Sequence, residues 1–451
     1  MTIRSDAVLE AESSTTPRPW AAAAERTALL LAERLADAER VEQAVLASEQ
    51  RARFEFGWGG ASLAAGPAGS ALLFGAAAGL QPERAEHWRG LAHESLVDAA
   101  SSTHEQPVSE LGLAGGAAGL SLALSICSRF EPRYGPTLAK LDESLAARVL
   151  AAPRLQPDDG VRDRDYDLVA GAAGTLVRLG SVWTSSAAVA DAVGALVDDL
   201  ARLCGSDGNR SWQIPPENFP LPEYQESFPH GYVNLGLAHG LPGVLAAMAL
   251  TTAAGHPDDR LPGLVADLAD YLQRVAVEDR WGPNWTYGVP LDADAADDLI
   301  TLRQAAPSRT AWCYGAPGVA CALLLAAEAL DDEALRLSAI EAADGSLRRF
   351  SDHDGFASAT VCHGAAGLLA VATRFARAGS ALAERTVPAL VGHLLDHCDD
   401  DLPLGVQDLE QPGVLLDSPG LLSGSAGVAL ALAAAARPDL DHGWERGLVL
   451  S

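Results

Sequence analysis

Two thiols and two imidazoles stand at matching places in this sequence. Cys313, in Trp312-Cys313-Tyr314-Gly315-Ala316-Pro317-Gly318, and Cys362, in Cys362-His363-Gly364-Ala365-Ala366-Gly367, each lie two residues before the first glycine of a Gly-x-x-Gly turn. His363 and His239, the latter in Ala238-His239-Gly240-Leu241-Pro242-Gly243, each lie one residue before it. Cys313, Cys362 and His363 supply three ligands of the types zinc takes, and a catalytic zinc keeps its fourth position open. A free cysteine also packs as a small buried hydrophobe. That reading is given to Cys127, Cys204, Cys321 and Cys398, which fall inside helical patterns. The shared register argues for ligands at Cys313 and Cys362. The same register makes His239, otherwise a structural histidine, a candidate acid or base on the face of the proposed metal. Asp167 lies four residues before Gly171, where a solvated carboxylate accounts for it equally well. Arg309, four residues before Cys313, either presents a charge to the site or is a surface arginine.

The elements that must position these residues come from a repeat. The glycine turn recurs seven times, with first glycines at Gly66, Gly116, Gly171, Gly240, Gly315, Gly364 and Gly424, and each copy opens an apolar run. Runs such as Val428-Ala429-Leu430-Ala431-Leu432 are apolar nearly all round, the mark of a helix buried on every side. Between them lie segments with helical period and one polar face: 24–47, 82–99, 138–151, 187–204, 261–275, 333–350 and 381–398. Each unit is then an amphipathic outer helix, a loop, a glycine turn and an apolar inner helix. Seven such hairpins form an open solenoid or a ring, and the all-round apolar inner helices favour the ring. A closed double layer would point every glycine turn at one end. Two longer segments, 205–235 and 279–310, are rich in proline and aromatics and read as loops or short ribbons at the mouth of that ring.

Composition bounds the rest. The chain has 451 residues, 48% hydrophobic and 20% charged, enough to build a large core. Its net charge of −28 repels nucleic acid and anionic lipid. Lys140 is the only lysine, a bias of bacterial look. The six cysteines form no C-x-x-C pair, which fits a reducing cytoplasm. The polar stretch 1–20 reads as a flexible tail without a secretory signal, and 21–451 as one domain. The apolar run from Gly318 to Ala327 is far short of the ~20 residues a membrane span needs.

With Trp-Cys-Tyr-Gly, Cys-His-Gly and Leu-Ala-His-Gly set in seven glycine-turn hairpins, the chain from about Ala21 onward resembles the lanthionine synthetase C-like (LanC-type) cyclases. The resemblance implies an all-α fold, an α/α toroid of seven helical hairpins, with a zinc ion at one end. It implies Cys313, Cys362 and His363 as zinc ligands, His239 as the acid/base, Asp167 as the catalytic aspartate of a tyrosine-aspartate motif, and Arg309 beside the first ligand. Ala170 departs from the pattern, where a larger acidic residue is expected, and the proline-rich 205–235 insertion does not align. The implied substrate is a precursor peptide carrying dehydroalanine or dehydrobutyrine, to which its own cysteines are joined as thioethers. A separate dehydratase and an exporter are the implied partners, since the repeat fills nearly the whole chain. Two alternatives remain: addition of a small thiol such as glutathione to dehydrated proteins, and a non-catalytic helical scaffold without metal.

Overall fold

The computed structural model describes residues 19–53, 57–105, 108–156, 160–204, 212–291, 307–352, 356 and 358–451. The expected tail therefore lies almost entirely outside the described residues, as do 205–211 of one insertion and 292–306 of the other.

Seven inner helices carry the apolar runs. They are α3 (Pro67–Leu80), α5 (Ala117–Cys127), α8 (Ala172–Gly180), α11 (Leu241–Ala253), α13 (Ala316–Leu330), α15 (Ala365–Arg377) and α17 (Ser425–Ala436). Each packs on the next, and α17 packs back on α3, so the ring closes. The outer layer is α4 (Ala85–Glu105), α6 (Gly135–Ala151), α9 (Ala187–Cys204), α12 (Leu261–Arg274), α14 (Glu333–Asp352) and α16 (Ala381–Asp396), completed by α1 (Pro19–Leu35) lying on α17. The fold is an α/α toroid of seven hairpins, the last of them joining the two ends of the ring. The sequence segment 24–47 reads as one helix but divides into α1 and α2 (Ala38–Glu49). Asp37 causes the break, its side chain accepting the Arg40 N–H as an N-cap. Among the described residues, two further α-helical pieces, α7 (Asp163–Tyr166) and α10 (Tyr224–Ser227), are single turns.

The glycine turns have a steric cause. A Cβ on the second glycine of every turn would collide with the carbonyl oxygen of the residue six before it: Leu63, Leu113, Leu168, Leu237, Trp312, Val361 or Leu421. Those seven residues are at most 3% exposed, and five of them, Leu63, Leu113, Leu168, Trp312 and Leu421, border a hollow of only about 20 Å³ at the middle of the ring. Gly447 of the terminal turn Trp444–Leu448 borders that hollow, and the Trp312 indole N–H donates to the Leu448 carbonyl at 3.0 Å. The ring is therefore plugged rather than a channel.

One residue further along, main-chain hydrogen bonds tie the seven turns into a belt. Ala64 N–H donates to Ala114 O (3.0 Å), Ala114 to Val169 (3.0 Å), Leu168 to Ala238 (3.2 Å) and Ala238 to Cys313 (3.3 Å). Cys313 then donates to Cys362 (3.1 Å), Cys362 to Leu422 (2.8 Å) and Leu422 back to Ala64 (3.1 Å). With Leu168 as the one neighbour standing in, every member lies two residues before its first glycine. The register that singled out Cys313 and Cys362 in the sequence is the register of this belt.

Beneath it, Arg178 of α8 is buried and donates to Asp142 of α6 (Nη2 to Oδ2, 2.5 Å) and to Ser121 of α5 (Nε to Oγ, 2.7 Å), locking three helices. Among the described residues, three two-stranded antiparallel ribbons accompany the helices. β1 (Tyr232–Asn234) pairs with β4 (Gly288–Pro290), joining the described parts of the two proline-rich segments. β2 (Val277–Asp279) pairs with β3 (Gly282–Asn284), and β5 (Asp408–Gln411) with β6 (Val414–Leu416).

Candidate functional site

Four adjacent turns, the third to the sixth, bring the singled-out residues together. Asp167 follows the single turn α7 and is 1% exposed, so it is not a solvated carboxylate. Its Oδ1 accepts the N–H groups of Ala170 (2.7 Å) and Gly171 (2.9 Å), at the start of α8. That leaves Oδ2, which pairs with His239 Nδ1 at 2.6 Å. The carboxylate is thus anchored by its own turn and orients the imidazole of the next repeat, with Nε2 left for the solvent side. Burial alone would lower the His239 pKa. The hydrogen bond and charge of Asp167, with the charges of Asp163 and Cys313, outweigh it and raise the value above the ordinary 6.5.

Around this pair lies a basin of about 670 Å³ lined by Asp167, His239, Tyr314, Asp163, Phe219 and Tyr224 among others. The described part of the 205–235 insertion supplies its aromatic wall, where Phe219, Tyr224, Phe228 and Tyr232 stack or tilt on one another. Asn234 donates through Nδ2 to Tyr314 Oη and to Asp163 Oδ1, both at 3.0 Å. Burial pushes the Asp163 carboxyl up to about 6 despite hydrogen bonds from Asn234 and Tyr232.

One belt step from His239 stands the thiol pair. Cys313 and Cys362 are neighbours in the belt, the Cys313 N–H donating to the Cys362 carbonyl at 3.1 Å, and their thiols act on each other. The adjoining Cys362 thiol lowers Cys313 to about 7 against its burial, helped by the positive charges of Arg309, His363 and His239. The adjoining Cys313 and burial raise Cys362 well above the ordinary thiol range. Arg309 is exposed, its Nε donating to the Tyr287 hydroxyl at 2.9 Å, and it reaches the thiols through charge. Its backbone matters too. Gly315 has φ +105°, a conformation that favours glycine, and a Cβ there would strike the Arg309 carbonyl oxygen.

His363 faces a partner the sequence did not reveal. Its Nε2 lies 3.1 Å from Oδ1 of Asp408 on β5, a carboxylate 7% exposed that also accepts from Ser358 (2.9 Å) and Thr360 (3.2 Å). This bond, before its burial, decides the His363 pKa and raises it. Nothing near Asp408 repeats the glycine-turn register, so no sequence signal marked it. Among the described residues, no three His, Cys, Asp or Glu side chains stand at metal-ligand spacing. The donor chemistry nonetheless fits zinc: two adjoining thiols, one easily ionised, and an imidazole whose Nε2 is fixed by a buried carboxylate so that Nδ1 is the nitrogen left to bind.

The profile of the lanthionine synthetase C-like proteins matches residues 57–449, and so spans all seven turns. The chain belongs to the lanthionine synthetase C-like family. Within it, the nisin biosynthesis protein NisC of Lactococcus lactis subsp. lactis is 26% identical over 263 residues, which cover 58% of this chain and 61% of that protein. The match thus spans somewhat under two thirds of that relative. The solved structure of a nisin cyclase superposes with a TM-score of 0.71 at 22% identity, covering 91% of this chain and 97% of the other. That likeness shows the shared toroid. The family's fold class, expected from the glycine turns, is the one described above.

Proposed function

We propose that this family member is a zinc-dependent lanthipeptide cyclase. It joins cysteine thiols of a dehydrated precursor peptide to dehydroalanine and dehydrobutyrine residues of the same peptide, forming lanthionine and methyllanthionine rings. The observation that carries the reading is the juxtaposition of the Cys313–Cys362 thiol pair with the Asp167–His239 pair one belt step away. The printed names of the relatives, a nisin biosynthesis protein and a nisin cyclase, support the substrate class.

Cys313, Cys362 and His363 would hold the zinc, with Asp408 fixing the imidazole from behind. When bound, zinc makes a substrate thiol acidic enough to ionise at neutral pH. The substrate sulfur adds to the β-carbon of the dehydro residue, the carbon–carbon double bond gives its electron pair to the α-carbon and carbonyl, and the α-carbon takes a proton. The thiol has lost one proton and the carbon gained one, so the product is an isomer of the substrate. His239 donates that proton from Nε2, because Asp167 holds Nδ1 and keeps the ring protonated above its ordinary range. The exposed Arg309 guanidinium offsets negative charge as it develops on the enolate oxygen. The double bonds come from a separate dehydratase, with an exporter as a further partner. No helix among the described residues is long and apolar enough to cross a membrane, and the free thiols Cys313 and Cys362 suit a reducing cytoplasm.

The test is a dehydrated peptide with one free cysteine, incubated with zinc-loaded protein and followed by mass spectrometry. Cyclisation removes alkylatable thiol at unchanged mass, and the His239→Ala and Cys313→Ala variants lose it. A gain of glutathione mass in place of ring formation would instead support the small-thiol alternative.

A further inference from the structure

Beside the basin lies a smaller hollow of about 240 Å³, lined in part by Val149 of α6, Thr175 of α8 and Leu196 of α9. Glu110, Arg164 and Ala170 border both the hollow and the basin, so the two meet at those residues. The main chain of Ala170 is fixed on both sides there. Its N–H donates to Asp167 Oδ1 at 2.7 Å, and its carbonyl accepts the Gly112 N–H at 3.1 Å. The side chain at 170 is therefore what sets the width of the passage, and a methyl group leaves it open.

The polar side chains of the inner wall are already engaged. Asp199, 6% exposed, accepts from Arg154 (3.2 Å) and Arg202 (2.7 Å). Asp165 accepts the Arg162 N–H at 2.8 Å, and the Thr175 hydroxyl donates to the Gly171 carbonyl at 3.1 Å. Arg164 and Glu110, both exposed, put one cation and one anion at the passage and offset each other. What is left to discriminate between ligands is apolar: the buried Val149 and Leu196 and the partly buried Leu155. A space of about 240 Å³ falls below the ~300–1,000 Å³ of small-molecule sites and suits a single large side chain.

We propose that this hollow is a specificity subsite. It receives one apolar side chain, of leucine size or larger, from the peptide residue that flanks the dehydro residue on the side away from the reacting cysteine. The proposal rests on the cyclase reading for the identity of the peptide. Around the ring the thiol pair, His239 and Asp167 stand on successive turns, and the hollow lies beyond Asp167. A peptide with its cysteine at the thiols and its α-carbon at His239 therefore continues past Asp167 to the passage at Ala170. Whatever fills the hollow enters through the basin with the reacting residues. Ala170 is the residue that admits it, and a leucine in place of a glycine at the flanking position gains at least roughly tenfold in affinity.

The probes are short fluorescein-labelled peptides with one cysteine and with alanine in place of the dehydro residue, so that binding is read without reaction. The residue flanking that alanine is leucine, glycine or glutamate. Each is titrated with the zinc-loaded full chain by fluorescence anisotropy. The leucine peptide binds at least roughly tenfold more tightly than the glycine peptide, and the glutamate peptide binds as weakly as the glycine one. Ala170→Leu closes the passage, and Ala152→Phe fills the hollow from its exposed outer rim; each abolishes the leucine preference. The ratio of affinities is what is read, so a variant that is merely damaged, and binds both peptides less well, keeps the preference and does not imitate the result. Equal binding of the leucine and glycine peptides to the native chain would overturn the proposal, as would a preference that survives in both variants. A glutamate peptide that binds as tightly as the leucine one would overturn it too, because Arg164 and not the apolar wall would then select. Ring closure on a dehydrated peptide judges the cyclase reading separately: its absence beside an intact leucine preference strikes that reading and leaves the subsite.

Discussion

Asp167 divides its two oxygens between its own turn and the next repeat, and that division has a measurable signature. Its hydrogen bond and charge are what raise His239 against burial. A raised histidine keeps its proton below the shifted value and loses it as pH climbs through that value. Cyclisation that needs protonated His239 therefore has an alkaline limb. In Asp167→Asn the limb moves to lower pH, and the rate at neutral pH falls by about 10²–10⁴-fold. A pH–rate profile reads both. The thiols offer a second test, in metal-stripped protein. Cys313 alkylates with a midpoint near pH 7, Arg309→Ala moves that midpoint up, and Cys127 and Cys321, held near 12 by burial, stay unmodified. Quantified iodoacetamide labelling by peptide mass mapping distinguishes the three sites. At this scale the sequence was legible where the chemistry sits in register with a glycine. Cys313, Cys362, His363 and His239 were singled out by counting from Gly315, Gly364 and Gly240, whereas Asp167 was left open by its spacing from Gly171 and marked only by the tyrosine-aspartate motif of the family resemblance. Asp408, Tyr287 and Asn234 were not, because each meets its partner across a loop or ribbon whose pairing depends on the folded ring.

The glycine turn is the element on which the site depends. The second glycine lets an inner helix begin against a carbonyl of its own loop. Gly318→Ala forces apart the start of α13 and the Trp312 carbonyl, and with it the strand of backbone that carries Cys313. Overpacking of this kind destabilises by about 1–3 kcal/mol. Urea denaturation measures that loss, and zinc affinity should fall with it because the ligand loop shifts. The buried Arg178 gives the opposite case, a polar lock in an apolar layer. Arg178→Ala strands Asp142 without its cation between α5, α6 and α8 and costs about 3–5 kcal/mol. Arg178→Ala with Asp142→Ala restores part of it by removing the unpaired charge. Helices of this ring were legible because their apolar faces repeat every turn. The split between α1 and α2 at Asp37 was not, since a helical period runs through the break and only the cap decides it. The β5–β6 ribbon was also missed, its strands being too short to show alternation.

At the scale of the whole molecule, the first and last helices complete one hairpin, and the proposed metal would join the fifth and sixth turns. Zinc then stabilises the closed ring by mass action, about 2.7 kcal/mol at a hundredfold excess over its Kd. The thermal midpoint rises on loading, falls back with a chelator, and becomes indifferent to zinc in Cys362→Ala. A native midpoint that ignores zinc would speak against the ligand assignment. The closed toroid itself was legible in outline, because helices apolar on every side leave an open array nowhere to hide them. The plug of large residues and the circular run of hydrogen bonds were not, because neither is visible until the ends of the ring meet. That circular run has a consequence for how such a molecule can change. It is made of main chain alone, so the side chains at its seven positions carry none of its strength. Two positions hold thiols, while Ala64, Ala114 and Ala238 stand at the same register with only a methyl group. They are interchangeable sockets around a common centre. New reactivity can be installed in one of them, or moved from one to another, by replacing a single side chain while the architecture stays as it is.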